Sequence, residues 1–118
     1  PQQSSLVAEV YVPSRAAGMI KPGQPVRLLY DAFPHQRFGV ARGTVDAVAG
    51  FVSLPGDMPA ASGLREAAYK VTIRLASDHV EDDNGRYALR PGMALAAEIV
   101  LESRSLAAWL LAPLQAGL

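Results

Sequence analysis

Alternation between a more apolar and a less apolar face is the strongest constraint that this sequence places on its own fold. The pattern runs through four separated segments, which read SLVAEVYVP, QPVRLLYD, YKVTIRLA and MALAAEIVLE. Successive side chains of a β-strand point to opposite faces, so a period of two predicts strands that each bury one face. The residues expected to face inward are Leu6, Ala8, Val10, Val12, Val26, Leu28, Tyr30, Tyr69, Val71, Ile73, Leu75, Met93, Leu95, Ala97, Ile99 and Leu101.

Two of these strands begin with the same local motif. IKPGQPVRL and LRPGMALAA share an aliphatic residue, a basic residue, a Pro-Gly pair, one further residue and then a strand. Pro22 and Pro91 preset φ near −65°, and Gly23 and Gly92 supply the positive φ of a type II turn. We therefore expect both strands to start from a Pro-Gly turn.

The remaining segments carry weaker signals. Gly43 and Gly50 interrupt the β-rich stretch FGVARGTVDAVAGFVSLP, which predicts bulges or sharp bends at the two glycines. SRAAGMI has room for one or two helical turns, with Ser14 as the expected N-cap. In SDHVEDDNGRY the Asn84-Gly85 pair indicates a hairpin turn.

The C-terminal run SLAAWLLAPL admits two interpretations. Ser105 is a candidate helix cap, and Leu106, Trp109, Leu110 and Leu114 follow at roughly helical spacing. The run is predicted to be a short helix or an extended tail packed on the strands. Trp109 is also a candidate contact with a membrane, a partner or a second copy, because tryptophan is common at interfaces.

Together these segments predict one all-β domain over residues 1–118. The expected architecture is a small closed antiparallel β-barrel of about six strands, with one short helix in the N-terminal third and a short apolar C-terminal helix or tail. A chain of 118 residues with 50% apolar residues can form one core without crosslinks.

Composition and motifs exclude several kinds of function. The 11 basic and 11 acidic residues balance, which argues against nucleic-acid binding, and the absence of cysteine removes thiol and iron–sulfur chemistry. The sequence contains no phosphate-binding loop, nucleophile elbow or zinc-protease motif. His35 and His79 stand alone, and DHVEDDNG does not fit a calcium loop in register. We predict no enzyme activity, cofactor or metal.

The ten residues YDAFPHQRFG are unusual, since they bring three aromatic rings around a proline. In one interpretation they form a corner between two strands, with Tyr30 and Phe38 buried. In the other, Phe33, Pro34 and His35 are exposed and contact a partner protein. The outward arginines Arg27, Arg42 and Arg74 are interpreted as solvated strand faces.

Two long runs carry a family resemblance. VPSRAAGMIKPGQPVRLLYDAFPHQRFGVARGTV and LRPGMALAAEIVLESRSLAAWLLAPL resemble the β-barrel domain of haemolysin-D-type membrane fusion proteins, also called periplasmic adaptors. The nearest likeness is to adaptors of bacteriocin (colicin V-like) and peptidase-containing type I secretion exporters. The likeness covers nearly the whole chain.

This resemblance implies a scaffold protein. Adaptors of this family link an inner-membrane ABC transporter to an outer-membrane channel, so that a peptide or protein crosses the periplasm of a Gram-negative bacterium. The likeness further implies self-association of the full-length protein and anchoring to the inner membrane. We expect this chain to be the excised barrel domain, without the membrane helix, the lipoyl-like domain and the α-helical hairpin that reaches the channel.

Two functions of other classes stay open beside this one. An independent β-barrel that binds a small regulatory ligand is one alternative, although the sequence lacks the arginine and glycine pattern of cyclic-nucleotide modules. An enzyme with an unfamiliar site is the other, and a cavity lined by His79 and carboxylates would favour it.

Overall fold

The computed structural model describes residues 6–59, 63–101, 105–108 and 114–116. Within these ranges the chain forms nine strands, two single-turn α-helices and one 3-10 turn. In chain order they are β1 (Leu6–Pro13), α1 (Ser14–Ala17), β2 (Pro25–Tyr30), α2 (His35–Phe38), β3 (Ala41–Ser53), the 3-10 turn (Pro55–Asp57), β4 (Ala68–Leu75), β5 (His79–Asp82), β6 (Gly85–Ala88), β7 (Leu95–Val100), β8 (Ser105–Ala108) and β9 (Leu114–Ala116).

Seven of the strands form one antiparallel sheet. Its order is β8-β7-β2-β3-β4-β1-β9, and β5 and β6 make a separate two-stranded sheet. The all-β prediction is confirmed, but the estimate of about six strands is too low because the acidic hairpin and the C-terminal segment also form strands. Among the described strands β8 and β9 are the two edges of the sheet, so closure into a barrel stays a prediction.

The core lies on the face of the sheet that the alternation selects. β1 and β7 alternate buried and half-buried residues along their whole lengths, and β2 alternates exposed and buried residues. The largest fully buried side chains include Leu28 of β2, Ile73 of β4, and Leu95 and Ile99 of β7. Burying one such side chain contributes about 1.5–3 kcal/mol. Of the residues predicted to face inward, Tyr69 and Met93 are only half-buried.

Both predicted Pro-Gly turns are present and nearly identical. The Gln24 amide donates to the Lys21 carbonyl at 3.4 Å, and the Met93 amide donates to the Arg90 carbonyl at 3.3 Å. Gly23 has φ 96° and Gly92 has φ 94°, values that side chains other than glycine rarely adopt.

The two glycines of β3 have different roles, and only one matches the prediction. The pairing of β3 with β4 shifts register between Val45 and Ala47 and again between Val48 and Val52, so Gly50 lies within an irregular stretch. Gly43 lies in regular pairing, where the bulge prediction is wrong. A Cβ atom at Gly43 would lie 2.8 Å from the Arg74 carbonyl oxygen, so close strand approach explains this glycine.

Two helix predictions need correction. The N-cap of α1 is Pro13 and makes no side-chain cap, whereas the Ser14 amide donates to the Ala67 carbonyl at 3.0 Å. The described parts of the C-terminal run are extended, because Ser105–Ala108 pairs with β7 and Leu114–Ala116 pairs with β1, so the helical alternative is wrong there and the extended one is confirmed. This pairing satisfies the backbone groups on the outer sides of β7 and β1. Trp109, Leu110 and Pro113 lie outside the described residues.

Candidate partner-contact site

The connection between β2 and β3 contains a short helix that the sequence did not predict. β2 and β3 pair directly, so residues 31–40 join two neighbouring strands, as the corner interpretation requires. The Pro34 carbonyl accepts from the Arg37 and Phe38 amides at 3.1 and 3.0 Å, and the Gly39 amide donates to the His35 carbonyl at 2.8 Å. Gly39 then leaves the turn with φ 78°. These bonds hold the connection in one ordered conformation.

Three aromatic rings attach this turn to the β5–β6 hairpin. The ring centroids of Phe33 and Phe38 are 5.2 Å apart in an edge-on arrangement, and Phe38 meets Tyr87 edge-on at 5.6 Å. Phe33 and Tyr87 are 6.1 Å apart. These distances are typical of attractive aromatic pairs. The cluster of Phe33, Phe38 and Tyr87 therefore joins two segments that are distant in sequence.

An ion pair reinforces the same junction. Arg37 Nε lies 2.7 Å from Asp82 Oδ2, and the Asp82 side chain is only 6% exposed. Asp82 Oδ1 also accepts from the amides of Asn84 and Gly85, at 2.8 and 3.1 Å, which closes the hairpin turn. Desolvation acts to raise the pKa of Asp82, but the amide hydrogen bonds and the Arg37 charge outweigh it and leave the pKa below its ordinary value.

The residues predicted to form the corner and the partner contact differ in their exposure to solvent. Tyr30 is buried at 6% exposure, and its burial raises the pKa of its phenol well above the ordinary value. Phe33 and Phe38 are half-buried, and Phe33 packs against the core. Pro34 and His35 are exposed. Their contact with a partner stays a prediction, and so does that of Trp109, which is outside the described residues.

Sequence reasoning missed Tyr87 and the pairing of Arg37 with Asp82. Arg37 and Asp82 are 45 positions apart, so no local pattern connects them. The one local signal was the Asp-x-Asn-Gly run, since aspartate before a turn commonly accepts from the following amides. That signal locates the turn of the hairpin, but it does not identify Arg37 as the ion-pair partner of Asp82.

A polar group around His79 forms part of a surface cleft but does not have the geometry of a catalytic relay. The cleft, of about 430 Å³, is lined in part by Asp78, His79 and Arg86. Ser77 Oγ and Asp78 Oδ1 both lie 3.1 Å from the same nitrogen, His79 Nδ1. A Ser–His–Asp relay needs the hydroxyl and the carboxylate at opposite ring nitrogens. This trio is therefore better described as a local turn.

The described residues also give little support to metal or ligand binding. Within residues 6–59, 63–101, 105–108 and 114–116, no group of three or more His, Asp or Glu side chains is placed to hold a metal ion. In the same part of the chain, the inner face of the sheet is filled by side chains such as Leu28 and Ile73. A ligand-binding barrel normally keeps a cavity there. No described helix has the length and apolar character needed to cross a bilayer.

Fold and site together define a small all-β domain that presents an ordered surface turn on a packed support. The chain belongs to the family of AprE-like β-barrel domains, whose model matches residues 6–102. This match and the relatives described next confirm the resemblance to haemolysin-D-type adaptors.

Curated relatives are known from several bacteria. Leukotoxin export protein LtxD of Aggregatibacter actinomycetemcomitans is 28% identical over 115 residues, which is 98% of this chain and 23% of that protein. The plasmid-encoded haemolysin secretion protein D of Escherichia coli is 29% identical over 115 residues, again 98% and 23%. Protein CyaD of Bordetella pertussis is 27% identical over 113 residues, or 96% and 24%. The chain thus spans about a quarter of each relative, and no solved structure matches it.

Proposed function

We propose that this domain is part of a non-catalytic periplasmic adaptor of a type I secretion system. In this proposal the full-length protein links an inner-membrane ABC transporter to an outer-membrane channel for export of a peptide, bacteriocin or larger protein. The relatives support it, because their names describe export or secretion of leukotoxin and haemolysin. Self-association and inner-membrane anchoring belong to the same proposal and would depend on other parts of the protein.

The ordered turn at Pro34 and His35 is the observation that carries a contact role. Both residues are exposed, while Phe33, Phe38 and Arg37 hold the turn from beneath. A surface that is already ordered loses less conformational entropy on binding than a mobile loop does. We assign this turn to contact with the transporter or with a neighbouring adaptor.

Barrel closure is part of the same proposal. Ser105–Ala108 pairs with β7 at one edge of the sheet, and Leu114–Ala116 pairs with β1 at the other edge. β8 and β9 are therefore near each other in sequence but pair at opposite sides of the sheet, which supports its closure. A closed barrel has no free edge strand at which another chain could pair.

The contact role is tested by paired substitutions in the full-length protein. Pro34→Ala with His35→Ala removes the exposed side chains of the turn and leaves the aromatic cluster intact. Pro55→Ala with Asp57→Ala is the matched control, because these residues are exposed in a second short turn. Phe33→Ser is less informative, since Phe33 packs on the core and its loss also affects folding.

The measurements are cargo export by cells and copurification of the adaptor with its transporter. We expect the Pro34 and His35 variant to fold normally, to copurify poorly with the transporter and to export less cargo than the control. Export equal to that of the control would refute the contact role of this turn. Failure of the wild-type protein to copurify with a transporter would refute the adaptor function itself.

A further inference from the structure

On the described strands of the large sheet, Arg42 is the basic residue that has no carboxylate within ion-pair distance. The other basic side chains on these strands each have a carboxylate nearby. Arg27 pairs with Glu98 at 3.2 Å, Arg74 with Asp46 at 2.8 Å, and Lys70 with Glu9 at 3.6 Å. Arg42 is exposed and has no such carboxylate within the part of the chain that the structure describes.

The neighbour that Arg42 does have is unfavourable. Arg42 of β3 lies directly opposite Arg27 of β2 in the strand register. Like charges in directly opposite positions destabilise a sheet, whereas opposite charges stabilise it. A glutamate in place of Arg42 would replace this like-charge pair with an opposite-charge pair. An arginine that breaks this local rule without a compensating contact is a candidate functional residue.

Arg42 also lines a cleft at the candidate contact site. The cleft has a volume of about 180 Å³ and is bordered by Tyr30, Phe38, Val80 and Glu81 as well as Arg42. Phe38 belongs to both the cleft and the aromatic cluster, so the cleft adjoins the exposed turn at Pro34. Glu81 lies 3.6 Å from Arg86 and is already paired. Arg42 is thus an exposed arginine without a described carboxylate partner among the residues that line this cleft, and Tyr30 and Phe38 are aromatic residues of the same lining.

We infer that this cleft receives a carboxylate side chain of the transporter, carried on a segment with an apolar neighbour. This inference rests on the proposed function and names the chemistry of the contact. Arginine binds carboxylate through two parallel hydrogen bonds, and aromatic walls favour an adjacent apolar group. A lipid or phosphate surface is a poorer fit, because such surfaces are recognised by clusters of several basic residues.

Charge reversal in the full-length adaptor tests the inference. The test variants are Arg42→Glu and Arg42→Gln. The control is Arg65→Glu, which changes an exposed arginine in the loop that precedes β4. Binding to the purified transporter in detergent is measured at low and high salt. We expect about tenfold weaker binding for Arg42→Glu and roughly two- to fivefold weaker binding for Arg42→Gln. Arg65→Glu should bind within about twofold of wild type.

Folding and the identity of the partner are controlled separately. The melting temperature of Arg42→Glu should equal or exceed that of wild type, because the introduced carboxylate would face Arg27. A lower melting temperature would overturn the argument that Arg42 and Arg27 repel each other across the strands. Binding equal to that of Arg65→Glu would overturn the inference and leave the adaptor function standing. A defect confined to self-association or to binding of anionic vesicles would overturn the choice of partner. Absence of wild-type binding would overturn both the inference and the proposed function.

Discussion

Substitution of Gly43 by alanine tests whether close strand approach, and not turn geometry, explains this glycine. Gly43 lies in β3 opposite Val26 of β2 and Leu75 of β4. An added Cβ atom would lie 2.8 Å from the Arg74 carbonyl oxygen and 2.9 Å from Ile73 Cγ2. The carbonyl belongs to the backbone of the paired strand, so it cannot rotate away as a side chain can. Gly43→Ala should therefore separate β3 from β4 locally.

The expected size of the effect is the difference between two opposing terms. Overpacking a close-packed region typically costs about 1–3 kcal/mol. Replacing glycine by alanine within a strand contributes roughly 0.5–1 kcal/mol in the opposite direction, because the unfolded chain loses freedom. We expect a net loss of about 1–2 kcal/mol in the free energy of unfolding. For a domain of this size that corresponds to a fall of roughly 4–8 °C in melting temperature.

The assay is denaturant and thermal unfolding of the 118-residue chain. Gly50→Ala is the matched control, because Gly50 lies in the same strand and a Cβ there would meet nothing within 4 Å. The control should be unchanged or more stable by up to about 1 kcal/mol. A Gly43→Ala variant as stable as Gly50→Ala would show that the β3–β4 spacing adjusts freely, and the explanation from close approach would be wrong.

Three further predictions concern the turns and the titrating groups. Gly23→Ala and Gly92→Ala should each lower the free energy of unfolding by about 1–2 kcal/mol, because both residues have positive φ; urea midpoints equal to wild type would contradict this. Since the pKa of Asp82 is lowered by folding, its contribution to stability is present above about pH 4 and lost as pH falls further. Asp82→Asn should show less of this acid loss, and an identical pH profile would count against the pair with Arg37. Since burial raises the pKa of Tyr30, its ultraviolet titration should begin only above about pH 10 and accompany alkaline unfolding, whereas titration together with exposed tyrosines would disprove the burial.

Strand faces were predictable because alternation is a local property. The burial of Val10 and Ile99 follows from the residues two positions away and needs no knowledge of the partner strand. The Pro-Gly turns were predictable for a similar reason, since Gly23 and Gly92 are each preceded by the residue that starts a type II turn. In these elements local preference and tertiary structure agree.

Features that depend on distant partners were not predictable. The helix His35–Phe38 is one turn long, too short to show a helical period. The helical spacing after Ser105 does not produce a helix at Ser105–Ala108, because these residues pair with the backbone of β7 instead. The sequence pattern places Arg42 on a solvated face, and only the register with Arg27 shows that it lies opposite a second arginine. The candidate contact residues were located from their sequence, but the support beneath them was not.

The position of β1 in the sheet also determines the order in which the domain can be completed. β1 is synthesised before the other strands, yet its neighbours are β4, from the middle of the chain, and β9, from residues 114–116. Until β9 emerges, one edge of β1 keeps backbone amides and carbonyls without strand partners, a state that favours pairing between different chains. That edge of β1 therefore stays open to pairing with another chain until β9 is synthesised, and a chain truncated before residue 114 would keep it open permanently.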